Sequence, residues 1–321
     1  MTADIVREPV VIAGWLWIVF TLLAAGAQTA RNAMQKSLTG TLGTIGATLV
    51  RFLFGLPFAT LSLLGVMAVT GAALPPLTAG FAAWVAVGGL SQIAATALML
   101  AAMRRRSFVV ATAYVKTEAI QVALFGLIFL SETLTPAAVI AIVVATAGVF
   151  LMSWPRGLPP GSGSPSAAEG AAWRPVAMGL GAGSLFACSA VGFKGAIMTL
   201  GTGADASGSF VVDATVTLVC GLLLQTVLLT AWQLVRDRQV LIAMLRAWRP
   251  SITAGFMGAF ASQMWFLAFA IATTAHVRTL ALVEILFAHA VSRRLFSQRT
   301  SRAEMFGIVL VVGGAILLIN G

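Results

Sequence analysis

Charge is what this chain has least of. Only 9% of its 321 residues are Asp, Glu, Lys or Arg, whereas a soluble globular domain carries about a quarter, so an ordinary soluble fold is excluded. Cysteine is nearly absent. Cys188 and Cys220 both fall inside apolar stretches, which excludes a disulfide framework and leaves two small hydrophobes. The two histidines, His276 and His289, hold no ligand spacing to each other or to a carboxylate, so they read as hydrogen-bonded packing residues rather than metal ligands. No GxSxG, HExxH or paired-aspartate motif is present, so an integral-membrane enzyme is disfavoured and no cofactor is implied. Acidic residues number 10 against 20 Lys and Arg. Because the cations sit in short loops rather than in one solvated domain, their expected partner is anionic lipid and not nucleic acid.

What the chain has in abundance is apolar sequence, at 59% of residues. It comes in continuous runs of about 20 residues, long enough for a helix to cross about 30 Å of hydrocarbon, and not in the short alternating segments of a membrane barrel. Ten runs are read, at 10–35, 44–69, 79–103, 107–131, 136–154, 174–200, 208–234, 250–272, 275–296 and 302–320. The expected fold is all-α integral membrane, with ten transmembrane helices. The first run carries on without a small-residue cleavage site, so no removed signal peptide is expected. Between the fifth and sixth runs lies PRGLPPGSGSPSAAEGAA, whose Pro, Gly and Ser content reads as a linker. The expected organisation is a first five-helix half at 1–154, a linker at 155–172 and a second half at 173–321.

Shifting the first half by 166 residues lays Glu118 on Glu284, Ser131 on Ser297 and Gly148 on Gly314. An odd number of helices per copy makes the second copy enter from the opposite side, which is an inverted repeat. Cations after odd-numbered helices include Lys36, Arg104, Arg105, Arg106, Arg156, Arg174, Arg236, Arg238, Arg246, Arg249, Arg293, Arg294, Arg299 and Arg302. Only Arg7 and Arg278 fall on the other side. The positive-inside rule then puts both termini in the periplasm of a multi-pass inner-membrane protein. Trp15, Trp17, Trp154, Trp173, Trp232 and Trp248 fall near run ends, as interfacial anchors do, while Trp265 lies deep and reads as packing.

The junction SETLTPAAV, Ser131 to Val139, together with the twofold five-helix plan, resembles the EamA-type members of the drug/metabolite transporter superfamily. Glu132 matches that family's glutamate, and Gln298 replaces it in the second half. A narrower likeness, in QTARNAMQKSL and GATLVRFLFGLPF between Gln28 and Phe58, is to bacterial riboflavin transporters. The resemblance implies a central pocket bounded mainly by the first, third, fourth, sixth, eighth and ninth helices. It also implies cytoplasmic termini, against the charge count.

Polar groups in hydrocarbon must face a partner or a cavity. Trp17, Thr21, Gln28, Arg31, Asn32 and Gln35 share a helical face about 100° wide. That face reads as a cavity wall or as a packing seam. Tyr114, Glu118, Gln121 and Phe125 form a stripe on the fourth run, with Lys116 projected to its opposite side. Glu118 is open to three uses: binding a cationic ligand group, pairing with Arg31 or Arg51, or taking up a proton. Gln92 with Thr96, and Gln263 with Phe266, could complete the pocket, and Glu284 stands as the repeat partner of Glu118. Lys194 is matched locally with Asp213 as a structural pair. The small residues Ala147, Gly148, Gly313 and Gly314 read as packing that either buttresses each half or forms a homodimer contact. Ser301 to Glu304 fits a capping box.

The expected function is secondary transport of a small organic metabolite by alternating access, with riboflavin the first candidate. Export of amino acids, drugs or other metabolites is the alternative. A proton or ion gradient is the expected coupling partner.

Overall fold

The computed structural model describes residues 14–105, 108–153, 165–201, 209–296 and 302–320, and among them it has helices and turns but no strand. Helix lies on each of the ten apolar runs. Five stretches are long and apolar enough to cross a membrane by length and composition, among them Ala79–Arg105, Phe210–Arg236 and Trp248–Ile271. The surface and interior are inverted relative to a soluble protein. Val69, Ile128 and Val235 are 87%, 67% and 91% exposed, while Arg31, Arg51 and Glu284 are buried to 2% exposure or less. That arrangement is stable only where the surrounding medium is as apolar as the side chains it meets.

Helix α1 (Leu16–Leu53) is two helices joined at Gly43, where φ is +66° and the helical backbone is lost. Gln35 donates to the Ala47 carbonyl at 2.7 Å. Twelve residues of straight helix would separate these positions by about 18 Å, so the chain must double back at Gly43. Glycine alone takes that backbone angle without a Cβ clash. The second run therefore begins inside α1 and continues, past a turn at Phe54 and Gly55, as α2 (Leu56–Thr70).

After α3 (Ala79–Arg105), the fourth run is broken into α4 (Phe108–Val115) and α5 (Glu118–Leu130), with Lys116 and Thr117 between them. Helix α6 (Pro136–Ser153) completes the first half. Helix α7 (Pro165–Gly201) starts inside the stretch read as linker, with Pro165 at its first position, where the missing N–H costs nothing. The linker is thus shorter than expected. Residues 154–164, including Trp154 and Arg156, lie outside the described residues, as do Arg7, Arg106 and Arg299.

Helix α8 (Phe210–Arg236) is followed by α9 (Arg238–Arg246), a short helix where a loop was read. Asp237 caps it by accepting from the Gln239 N–H at 3.0 Å, and Met244 is its buried anchor. Helix α10 (Trp248–Ile271) leads to a ninth run broken like the fourth. There α11 (Thr274–Leu280) gives way to a 3-10 turn at Ala281–Val283, and α12 (Glu284–Phe296) begins at Glu284. Helix α13 (Arg302–Asn320) is last, and Ser301 of the expected capping box is outside the described residues.

Glycines set two close helix seams. A Cβ on Gly192 of α7 would stand 2.6 Å from the Gly88 backbone nitrogen of α3, and one on Gly195 would meet the Trp84 ring. Gly181 faces Leu98 further along. Rising positions on α3 thus meet falling positions on α7, so the two are antiparallel, and exposed Arg104 and Arg105 share an end with exposed Arg174. The second seam joins α6 to α13. A Cβ on Gly148 would meet the Gly307 carbonyl and Val311, and one on Gly314 would meet Ala145 and the Ala141 carbonyl. Gly148 and Gly314 are spent on this internal seam, whereas Ala147 and Gly313 are exposed.

A side chain at Gly192 has only backbone to displace, so Gly192→Leu should cost about 1–3 kcal/mol by overpacking. Thermal unfolding in detergent should show a lowered midpoint for Gly192→Leu and none for Gly313→Leu, since nothing lies within 4 Å of a Cβ at Gly313.

Candidate functional site

The two helix breaks meet at the centre. Glu284, the first residue of α12, receives Gln28 Nε2 on its Oε2 at 2.8 Å and Asn32 Nδ2 on its Oε1 at 3.3 Å, both from α1. Lys116 Nζ, in the break between α4 and α5, reaches the same Oε2 at 2.5 Å. Glu118, which opens α5, pairs through Oε1 with Arg278 Nη1 of α11 at 3.0 Å. Each carboxylate therefore takes its cation from the opposite half of the chain. The pairs are buried, so their Coulomb attraction is little screened, and losing either partner would strand a charge.

Amides and an indole tie the pairs together. Gln28 spends its second polar atom as acceptor for Trp265 Nε1 at 3.0 Å. The Arg278 guanidinium lies 4.6 Å from the Trp265 ring centroid and 5.3 Å from that of Phe269. Asn32 Oδ1 accepts from Arg31 Nε and Nη2 at 3.2 and 2.7 Å. A continuous chain thus runs from Glu118 through Arg278, Trp265 and Gln28 to Glu284, and on through Asn32 to Arg31. Arg51 lies beside Arg31 at Gly258, donating to Thr96 Oγ1 and Ser262 Oγ at 3.2 Å each.

Sequence readings are corrected here at three side chains and one helix face. Lys116 does not project away from Glu118's side of the structure into a packing seam, because the helix breaks at that residue and the 100° rule no longer applies across it. Glu118 is claimed by Arg278 rather than by Arg31 or Arg51. Arg278 is no loop cation, being 5% exposed, so its place in the charge count was mistaken. The α1 face is also not an open wall. Arg31 and Asn32 are buried and bonded to each other, Gln28 is half-buried, Gln35 bonds to Ala47, and Trp17 meets the His276 ring edge-on.

Other candidates are held by partners outside this network. Gln92 and Gln263 are held on α8, by Gln225 at 2.9 Å and Thr215 at 3.0 Å. Phe266 packs on Phe193 with centroids 4.7 Å apart, and Tyr114 lies against Gly179 of α7. Gln121 is half-buried, with no partner for its Oε1 among the described residues. Lys194 Nζ donates to the Phe269 and Ala272 carbonyls, closing the C-terminal end of α10, and Glu132 accepts from Thr274 N and Oγ1 at the start of α11. A surface recess lies nearby, lined by Trp84, Leu130, Ser131, Gly195, Met198 and Thr199. Sequence reasoning missed Arg278 and Lys116 as partners. The signal available was their nearness in sequence to Glu118 and Glu284.

No family model matches the chain, and no curated protein is similar to it. Among solved structures, 28 chains match. One of them, described only as "Crystal structure of protein", superposes with a TM-score of 0.62 at 15% identity, covering 95% of this chain and 94% of its own. The likeness spans the full fold and carries no information about activity.

Breaking a buried pair by removing one partner costs about 3–5 kcal/mol, whereas removing both leaves no stranded charge. Lys116→Met and Glu284→Gln should each lower the detergent unfolding midpoint strongly. The double variant should recover most of that loss, and a strictly additive double variant would contradict the pairing.

Proposed function

We propose that this protein is a secondary transporter that carries a small organic solute across the bacterial inner membrane by alternating access. The observation that carries the reading is the pair of crossed ion pairs at the two helix breaks. Transporters built from inverted repeats place their sites where discontinuous helices meet near the midplane, and the two halves move against each other around that point. Here the pairs Lys116–Glu284 and Arg278–Glu118 are the links that such a motion would make and break.

An inverted five-helix repeat fits the same facts. The breaks stand 166 residues apart, at Glu118 and Glu284. The α6–α13 seam is reciprocal at that shift, since Gly148 meets the equivalents of the residues that Gly314 meets. The likeness to EamA-type transporters is the family reading that accords with this plan. In this arrangement the two carboxylates are held by internal partners, and a solute enters by replacing some of them.

Purified protein in proteoliposomes should accumulate its solute saturably, and Lys116→Met should reduce the initial rate at least tenfold. Riboflavin is the first solute to test. Uptake equal to that of empty vesicles would remove riboflavin, and failure of a broad metabolite screen under imposed proton and sodium gradients would remove the carrier reading itself.

Exposed Arg104, Arg105 and Arg174 share one end of the bundle, and the positive-inside rule supports a reading in which that end is cytoplasmic and the termini are periplasmic. Alkaline phosphatase fused after the last residue should be active in intact cells, and an inactive fusion would reverse the orientation.

A further inference from the structure

The centre holds more positive charge than the ion pairs use. Lys116 and Arg278 are matched by Glu284 and Glu118. Arg31 and Arg51 are not: neither has a carboxylate within ion-pair distance among the described residues, and their acceptors are one amide oxygen and two hydroxyls. Both are among the largest fully buried side chains of the chain. Arg31 Nη1 and Arg51 Nε have no hydrogen-bond partner among the described residues.

The two stems converge. A Cβ on Gly258 would stand 3.0 Å from Arg51 Cγ and 3.4 Å from Arg31 Cδ, so the glycine lets both cations lie against one backbone position of α10. A guanidinium stays protonated under all ordinary conditions, so it cannot escape burial by losing its charge. Two adjacent buried cations repel each other, and each unfilled donor carries a desolvation cost. The group that answers both is an oxyanion, whose paired oxygens match the guanidinium fork.

We infer that Arg31 and Arg51 form the binding site for an anionic group, a carboxylate or phosphate, on the carried solute. This rests on the carrier reading for the word solute, and on the two guanidiniums alone for the word anionic. Riboflavin itself has no such group, whereas its 5′-phosphate does. The site favours solutes of the second kind over neutral ones of equal size.

The test measures binding without transport. Unfolding of the purified protein in detergent is followed while sodium phosphate or sodium acetate is added at constant ionic strength against sodium chloride. The midpoint should rise saturably with an oxyanion and not with chloride. Arg31→Gln and Arg51→Gln should weaken the apparent affinity at least tenfold, and Arg249→Gln, at the exposed start of α10, should leave it unchanged. If the arginine variants do not fold, Gly258→Ala keeps both charges while crowding their stems, and it should weaken binding about threefold or more. No oxyanion response, an equal response to chloride, or unchanged affinity in Gly258→Ala and the arginine variants would overturn the assignment. Saturable binding with no transport in vesicles would keep the anion site and remove the carrier. Transport of a neutral solute with no anion response would do the reverse.

Discussion

A charged side chain in a medium without water must be neutralised, hydrogen-bonded or expelled, and this constraint organises the centre of the molecule. Four cations and two carboxylates lie within one connected region spanning α1, α3, α10 and the two helix breaks. The surrounding helices can pack through glycine and alanine because their own surfaces ask for nothing but dispersion contacts. Everything polar is gathered inward, and lipid-facing positions such as Val69 and Val235 are left bare.

The breaks are what allow the charges to meet. Continuous helices at the fourth and ninth runs would have kept Lys116 and Glu118 on separate faces, since residues two apart on an α-helix point about 200° apart. Interrupting the helix at Lys116 and Thr117 lets Lys116 reach Glu284 while Glu118 reaches Arg278. A break also exposes backbone groups, and these need cover from neighbouring protein. Elsewhere, the ends of α10 and α11 receive such cover from Lys194 and Glu132. The small-residue seams at α3–α7 and α6–α13 each join a helix of the first half of the chain to a helix of the second, as the two ion pairs do.

The all-helical character and the apolar runs of helix length were legible in the sequence, as was the presence of Gln28, Arg31, Asn32, Glu118 and Glu284 inside those runs. Run length and hydropathy report directly on the solvent a helix needs, and polar residues inside such runs are rare enough to stand out. Partnerships were not legible. Glu118 was open to a cationic ligand group, to Arg31 or Arg51, or to a proton, and its pairing with Arg278 was not among these because Arg278 was counted as a loop cation. The helix α9 was missed because its apolar residues are too few to form a run. Gln92, Tyr114, Gln263 and Phe266 were grouped with the centre by helical direction, but direction names a face and not the neighbour it touches.

The sequence by itself determined the solvent: 59% apolar residues in helix-length runs leave lipid as the only medium that suits them. Only the tertiary structure decided which charges neutralise each other and which, Arg31 and Arg51, are left over. Pairing depends on distances of about 3 Å between residues more than a hundred positions apart, and a broken helix or a doubled-back chain at Gly43 alters those distances without altering composition or periodicity.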